Sequence, residues 1–170
     1  MDLPTSLWKQ VGDCFNVDDG SLPSIEIAQL SPDGVQAIYA MLRSRSRLYG
    51  DATRELWSRT LEASIPIDSV PNAAVLVTEG HADAFHFGLT SITAFGTELP
   101  ELGVFVFPDC IELDYRMGPE WGPAQVAGFF ELLHDCASLD PAAIVLPAET
   151  EGPPYPERFA RAWATYDRQR

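Results

Sequence analysis

Glu112 and Asp114, at i and i+2, are the nearest thing to a paired carboxylate in the sequence. In an extended strand that spacing puts both on one face. Two carboxylates so placed suit general acid–base work or a hard divalent cation. His81 and His86 lie on what reads as an adjacent hairpin, so the four residues together make a candidate acid–base or metal site. The pattern has low specificity, because acidic residues alternate along many solvated strands. His134 sits near the end of an expected helix, where a cation is favoured in any case. The sequence contains no nucleophile elbow, P-loop, dinucleotide-binding glycine fingerprint, H-E-x-x-H or EF-hand loop. No cofactor or resident metal is expected.

A second use of the same acids is contact with a partner. Glu79, Asp83, Asp109 and Glu120 fall in expected loops, and Glu112 and Asp114 on outward strand positions, so these residues are candidates for binding a basic protein. Trp121 stands between glycines and prolines in Gly118-Pro119-Glu120-Trp121-Gly122-Pro123. Exposed on so stiff a loop, an indole would be a preorganised interface anchor. The plainer reading is that it caps the core between helix and sheet.

The charge balance says where such a partner would dock. The chain has 170 residues, 25 acidic against 11 basic, and a net charge of −14. Residues 60–157 hold 16 of the acidic side chains against the single Arg116. A one-signed field costs stability through self-repulsion, yet it steers a basic partner to on-rates of about 10⁸ M⁻¹s⁻¹ or more at low salt. It also helps solubility without any partner. Phosphate binding needs a clustered basic footprint, which one lysine and ten arginines in an acidic chain do not supply. No apolar run approaches the roughly 20 residues of a membrane span, and the N-terminus has no secretory pattern. A cytoplasmic protein that binds neither nucleic acid nor membrane is expected. Cys14, Cys110 and Cys136 are odd in number and widely spaced, which suits reduced thiols.

The elements that must position these residues follow from periodicity. At this length folding buries roughly 70% of the unfolded chain's surface, enough for one globular domain. Residues 1–30 read as an irregular lead-in with a short alternating strand at Ser24–Leu30. Residues 31–63 read as helical. Ser31 caps a helix with Val35, Ile38, Tyr39 and Leu42 on its buried side, Gly50 ends it, and Asp51 caps a second helix burying Leu56, Trp57 and Leu61. Five arginines, Arg43, Arg45, Arg47, Arg54 and Arg59, line this stretch. Residues 73–116 read as a β-meander of strands at 74–78, 85–95, 103–107 and 111–116. A helix over 123–138 and a strand over 143–147 follow, the latter expected to join 111–116 in a right-handed βαβ unit. A Pro-rich connector then leads to a C-terminal helix over 156–168 with Phe159, Trp163 and Tyr166 on one side.

The expected fold is therefore α+β, an antiparallel or mixed sheet of about 4–6 strands packed by N-terminal, central and C-terminal helices. In general character, a small acidic α+β domain without catalytic motifs, the chain resembles bacterial immunity proteins that neutralise toxin domains. The leading expectation is an acidic, non-enzymatic inhibitor of a basic toxin or nuclease domain. Two alternatives stand beside it. One is a small enzyme or metal-binding domain using Glu112, Asp114, His81 and His86. The other is a structural subunit or homo-oligomer associating through the sheet edge or the C-terminal helix.

Overall fold

A computed structural model describes residues 1–49 and 54–170. The fold is α+β, with five α-helices and a six-stranded antiparallel sheet among the described residues. In chain order the elements are α1 (Leu3–Val11), β1 (Ser24–Ala28), α2 (Pro32–Ser44), β2 (Arg47–Leu48), β3 (Glu55–Ser58), β4 (Ala63–Pro66) and α3 (Ala73–Thr78). There follow β5 (Phe85–Thr90), β6 (Thr93–Ala94), β7 (Thr97–Glu98), β8 (Leu102–Val106), β9 (Ile111–Tyr115), α4 (Pro123–Ala137), β10 (Ile144–Pro147) and α5 (Pro156–Asp167). The main sheet has the order β10-β1-β9-β8-β5-β2, and β3–β4 and β6–β7 form separate hairpins.

Alternation along the strands sends one set of side chains into the core. Ile25 and Ile27, Phe85, Phe87 and Leu89, Val104 and Val106, and Ile111, Leu113 and Tyr115 are all buried. The helices cover this side. From α2, Tyr39 meets Phe85 and Phe87 edge-on at 6.0 and 5.7 Å, and from α4, Phe129 meets Tyr115 at 5.5 Å. Phe159, Trp163 and Tyr166 of α5 are buried as their spacing predicts.

Four expectations need correction. Residues 1–30 are not irregular throughout: Asp2 accepts from the Thr5 N–H at 2.9 Å and so caps α1, whose Leu7 and Val11 are buried. An acidic cap before a proline in the first turn was the signal. The second helix is instead the β3–β4 hairpin. Its period is two, with Leu56 and Ser58 inward and Trp57 outward, 47% exposed. Gly50 and Asp51, the expected stop and cap, lie outside the described residues. The expected strand over 74–78 is α3, because the Asn72 side chain accepts from the Ala74 N–H at 3.0 Å and Gly80, at φ 78°, turns the chain away. A short apolar run carries no period of its own, so the cap decides. Finally, β9 and β10 are not adjacent. Strand β1 lies between them, antiparallel to both, so they run parallel without pairing.

Asp140 fastens the start of α2 to the loop after α4. Its carboxylate accepts from Ala142 N–H at 2.9 Å and from the Ser31 hydroxyl and N–H at 2.7 and 2.8 Å. These bonds hold its carboxyl below the ordinary value. Ser31 Oγ in turn accepts from Gly34 N–H at 3.1 Å. A Cβ on Gly34 would sit 2.9 Å from Asp140 Cβ and closer still to its carboxylate. Alanine at an unconstrained helical glycine stabilises by about 1 kcal/mol. Here the sign reverses: overpacking costs about 1–3 kcal/mol, so Gly34→Ala lowers the midpoint in a thermal denaturation monitored by circular dichroism.

Candidate functional site

The strand positions that alternate with the core form the sheet's other surface. Across the middle of that outer surface runs one row of directly opposed residues: Leu146 of β10, Glu26 of β1, Glu112 of β9, Phe105 of β8 and His86 of β5. Glu26 and Glu112 are thus cross-strand partners of like charge, an arrangement that destabilises a sheet. Burial, then Glu26, Glu151 and Asp114, push the Glu112 carboxyl above its ordinary value. Cys110, at the end of the same strand, has its thiol pushed up to about 12 by burial and by Glu26, Glu112 and Asp109.

Cations do not answer this pair. Arg43 meets Asp68 at 2.6 Å, Arg45 meets Asp135 at 2.5 Å and Arg59 meets Asp83 at 2.5 Å. Arg116 reaches Asp18 at 3.3 Å and Arg158 reaches Asp13 at 3.4 Å. Among the described residues no Lys, Arg or His nitrogen comes within 4.0 Å of Glu26 or Glu112.

Asp114 is the exception on this face. In the next row it lies opposite Gly103, which in turn lies opposite Gly88. With no side chain on Gly103, the Asp114 carboxylate folds across β8 and meets His86 Nε2 at 2.6 Å. A Cβ there would be 2.5 Å from Asp114 Cγ. The His86 ring also rests on Phe105 at 4.9 Å, and Phe105 stacks on Phe107 at 5.1 Å. At the β10 edge, Ile144 and Leu146 are 43% and 37% exposed. The face is thus acidic in its middle, aromatic on one side and aliphatic on the other.

The expected site residues divide. Glu112, Asp114 and Asp109 share this face and its β8–β9 turn, where Phe107 N–H donates to Cys110 C=O at 2.9 Å. Glu120 lies in a separate groove with Asp18, Glu98, Glu101 and Arg116. Glu79 and Asp83 are at the turn after α3, the former 3.8 Å from His81 and the latter held by Arg59. Trp121 is no exposed anchor. It is 3% exposed, donates from Nε1 to Arg116 C=O at 2.8 Å and packs on Phe15, Tyr115 and Phe129. The stiff loop folds back over the end of β9 and closes this aromatic cluster, which the capping interpretation of Trp121 describes.

The metal or acid–base constellation does not assemble, because only His86 and Asp114 meet. His81 is against Thr60 at 3.4 Å and Glu79, and among the described residues no three His, Cys, Asp or Glu side chains converge as a metal site. Sequence reasoning missed Glu26, Phe105, Phe107, Ile144 and Leu146. The outward positions of Ser24–Leu30 and of the strand over 143–147 were the signal, but strand order alone brings them beside Glu112. Comparison with protein-family models, with curated proteins and with solved structures yields no match. No helix among the described residues is long and apolar enough to cross a membrane.

The like-charged pair has a measurable consequence. A carboxyl whose folded pKa is raised contributes stability that is fully present below its unfolded pKa and lost as pH rises through the folded one. Glu112→Gln therefore gains on the native protein at neutral pH, by roughly 0.2–1 kcal/mol after solvent screening, and the gain disappears below the ordinary glutamate range, about pH 4. Urea denaturation of both proteins across that range measures it.

Proposed function

We propose that the chain is an acidic, non-enzymatic, protein-binding inhibitor of the immunity type, which neutralises a basic bacterial toxin or nuclease by covering its active site. The observation that carries this reading is the outer sheet face, where Glu26 and Glu112 oppose each other with no Lys, Arg or His nitrogen within 4.0 Å among the described residues and exposed aliphatic residues lie alongside. Carboxylates held in a self-repelling arrangement are a standing cost to the fold. A partner's guanidinium or ammonium groups offset that cost on binding, and they do so where phosphate-binding and nucleic-acid-cutting enzymes concentrate positive charge.

The two alternatives fit the geometry less well. An enzymatic or metal role lacks the convergence of Glu112, Asp114, His81 and His86 described above. The homo-oligomer alternative loses one of its two expected contacts, because the apolar side of α5 is already buried in the core, and keeps only the sheet edge.

The reading is tested by purifying the tagged full-length chain from its own cells, identifying the co-purifying protein by mass spectrometry and assaying that protein's activity with increasing inhibitor. The expected result is a basic protein inhibited by the native chain and escaping at least tenfold from Glu112→Lys/Asp114→Lys. Recovery of free chain only, or equal inhibition by the charge-reversed protein, contradicts the proposal.

A further inference from the structure

Resting on that reading, we infer that the partner presents an arginine to the open face, its guanidinium seated between Glu26 and Glu112 with its plane against the Phe105–Phe107 aromatic pair. Beside it, an apolar side chain of the same segment covers Ile144 and Leu146.

The inference starts from the shape of the face. Between the end of β1 and the β8–β9 turn lies an open cavity of about 450 Å³, lined by Glu26, Ala28, Phe107, Asp109, Cys110 and Glu112. Its lining brings the Glu26 and Glu112 carboxylates together with the Phe107 ring, which stacks on Phe105. Directly opposed residues on neighbouring strands have Cβ atoms about 4.5–5.5 Å apart, so Glu26 and Glu112 together offer four oxygens within reach of one planar fork. Arginine fits this combination better than lysine. Its guanidinium is weakly hydrated, donates in two directions in its own plane and stacks on aromatic rings, whereas ammonium is a strongly hydrated point charge.

Other occupants match the face poorly. A bare metal ion lacks three converging ligands among the described residues, and a second copy brings like charge. The aliphatic strip also needs cover. Leu146 is directly opposite Glu26 and Ile144 opposite Ala28, so an apolar residue near the arginine in the partner's sequence falls on them. Among the described residues no cationic nitrogen of the chain lies within 4.0 Å of the pair, so the cation comes from a partner.

The test uses the ¹⁵N-labelled full-length protein and three probes: acetyl-Leu-Arg-Leu-amide, its lysine counterpart and its citrulline counterpart, which keeps the shape and loses the charge. The arginine peptide is expected to shift the amide signals of Glu26, Phe105, Phe107, Glu112 and Leu146, with an apparent Kd at least threefold below that of the lysine peptide. The citrulline peptide shifts none of them. Glu26→Gln/Glu112→Gln weakens arginine-peptide binding at least tenfold, while Glu98→Gln/Glu101→Gln, in the other acidic groove, stays within twofold. Equal binding of the arginine and lysine peptides, equal losses in both double variants, or no response at these amides overturns the inference. The inhibitor reading is judged separately. If the peptides fail but charge reversal still abolishes inhibition of the captured protein, only the arginine assignment falls. If the peptides behave as expected and no inhibited protein is found, the face is an arginine site and the inhibitor reading falls.

Discussion

Insertion of β1 between β9 and β10 is the constraint on which the rest of the molecule depends. The strand is locked at both ends: Ser24 N–H donates to Glu151 C=O at 2.7 Å, Ala148 N–H to Ser24 C=O at 3.0 Å, Tyr115 N–H to Pro23 C=O at 3.1 Å and Leu30 N–H to Asp109 C=O at 2.9 Å. These bonds fix the register in which Glu26 faces Glu112. A slip by one residue would exchange the core and solvent faces of β1, burying Glu26 and exposing Ile25 and Ile27. The hydrophobic core therefore enforces the electrostatic conflict on the other side.

The core pays for its one-sidedness with a bare outer surface. Phe15 stacks on Tyr115 at 4.7 Å and touches Trp121 and Phe129, while the Tyr115 hydroxyl donates to Cys14 C=O at 2.8 Å. That cluster ties the segment after α1, the last residue of β9, the glycine–proline loop and α4 into one unit. Helices α2, α4 and α5 pack on this side. Elsewhere on the surface the arginines tie α2 and the β3–β4 hairpin to nearby aspartates. Asp114 is quieted by His86 across the gap at Gly103. In the middle of the outer face the Glu26–Glu112 pair has no such partner among the described residues, with aromatic and aliphatic surface on either side of it.

Much of this order is legible from local pattern. The alternation Ile111, Leu113, Tyr115 against Glu112, Asp114 assigns the two faces of β9 correctly, and Ser31-Pro32 followed by Val35, Ile38, Tyr39 and Leu42 locates α2. The outward carboxylates at 112 and 114 lie on the candidate face. Other parts depend on contacts distant in sequence. Ala74–Val77 is apolar under either period, and only the Asn72 cap and tertiary packing make it helical. Leu56-Trp57 reads as a helical stripe until the β4 partner pairs with it. Nothing in the short alternating strand at Ser24–Leu30 says what Glu26 faces, because strand order, set by segments more than eighty residues away, decides it. Trp121 reads either as a loop anchor or, more plainly, as a cap on the core, and the fold of its loop over Tyr115 decides for the cap.

The claim underlying this account is that the native fold holds Glu26 and Glu112 in mutual repulsion. Its most direct measurement is an NMR titration of the Glu112 side-chain carboxyl in the native protein and in Glu26→Gln. In the native protein the Glu112 pKa is expected above the ordinary glutamate value and falls toward it when Glu26 is neutralised. An ordinary value in the native protein, unchanged by Glu26→Gln, would contradict the claim.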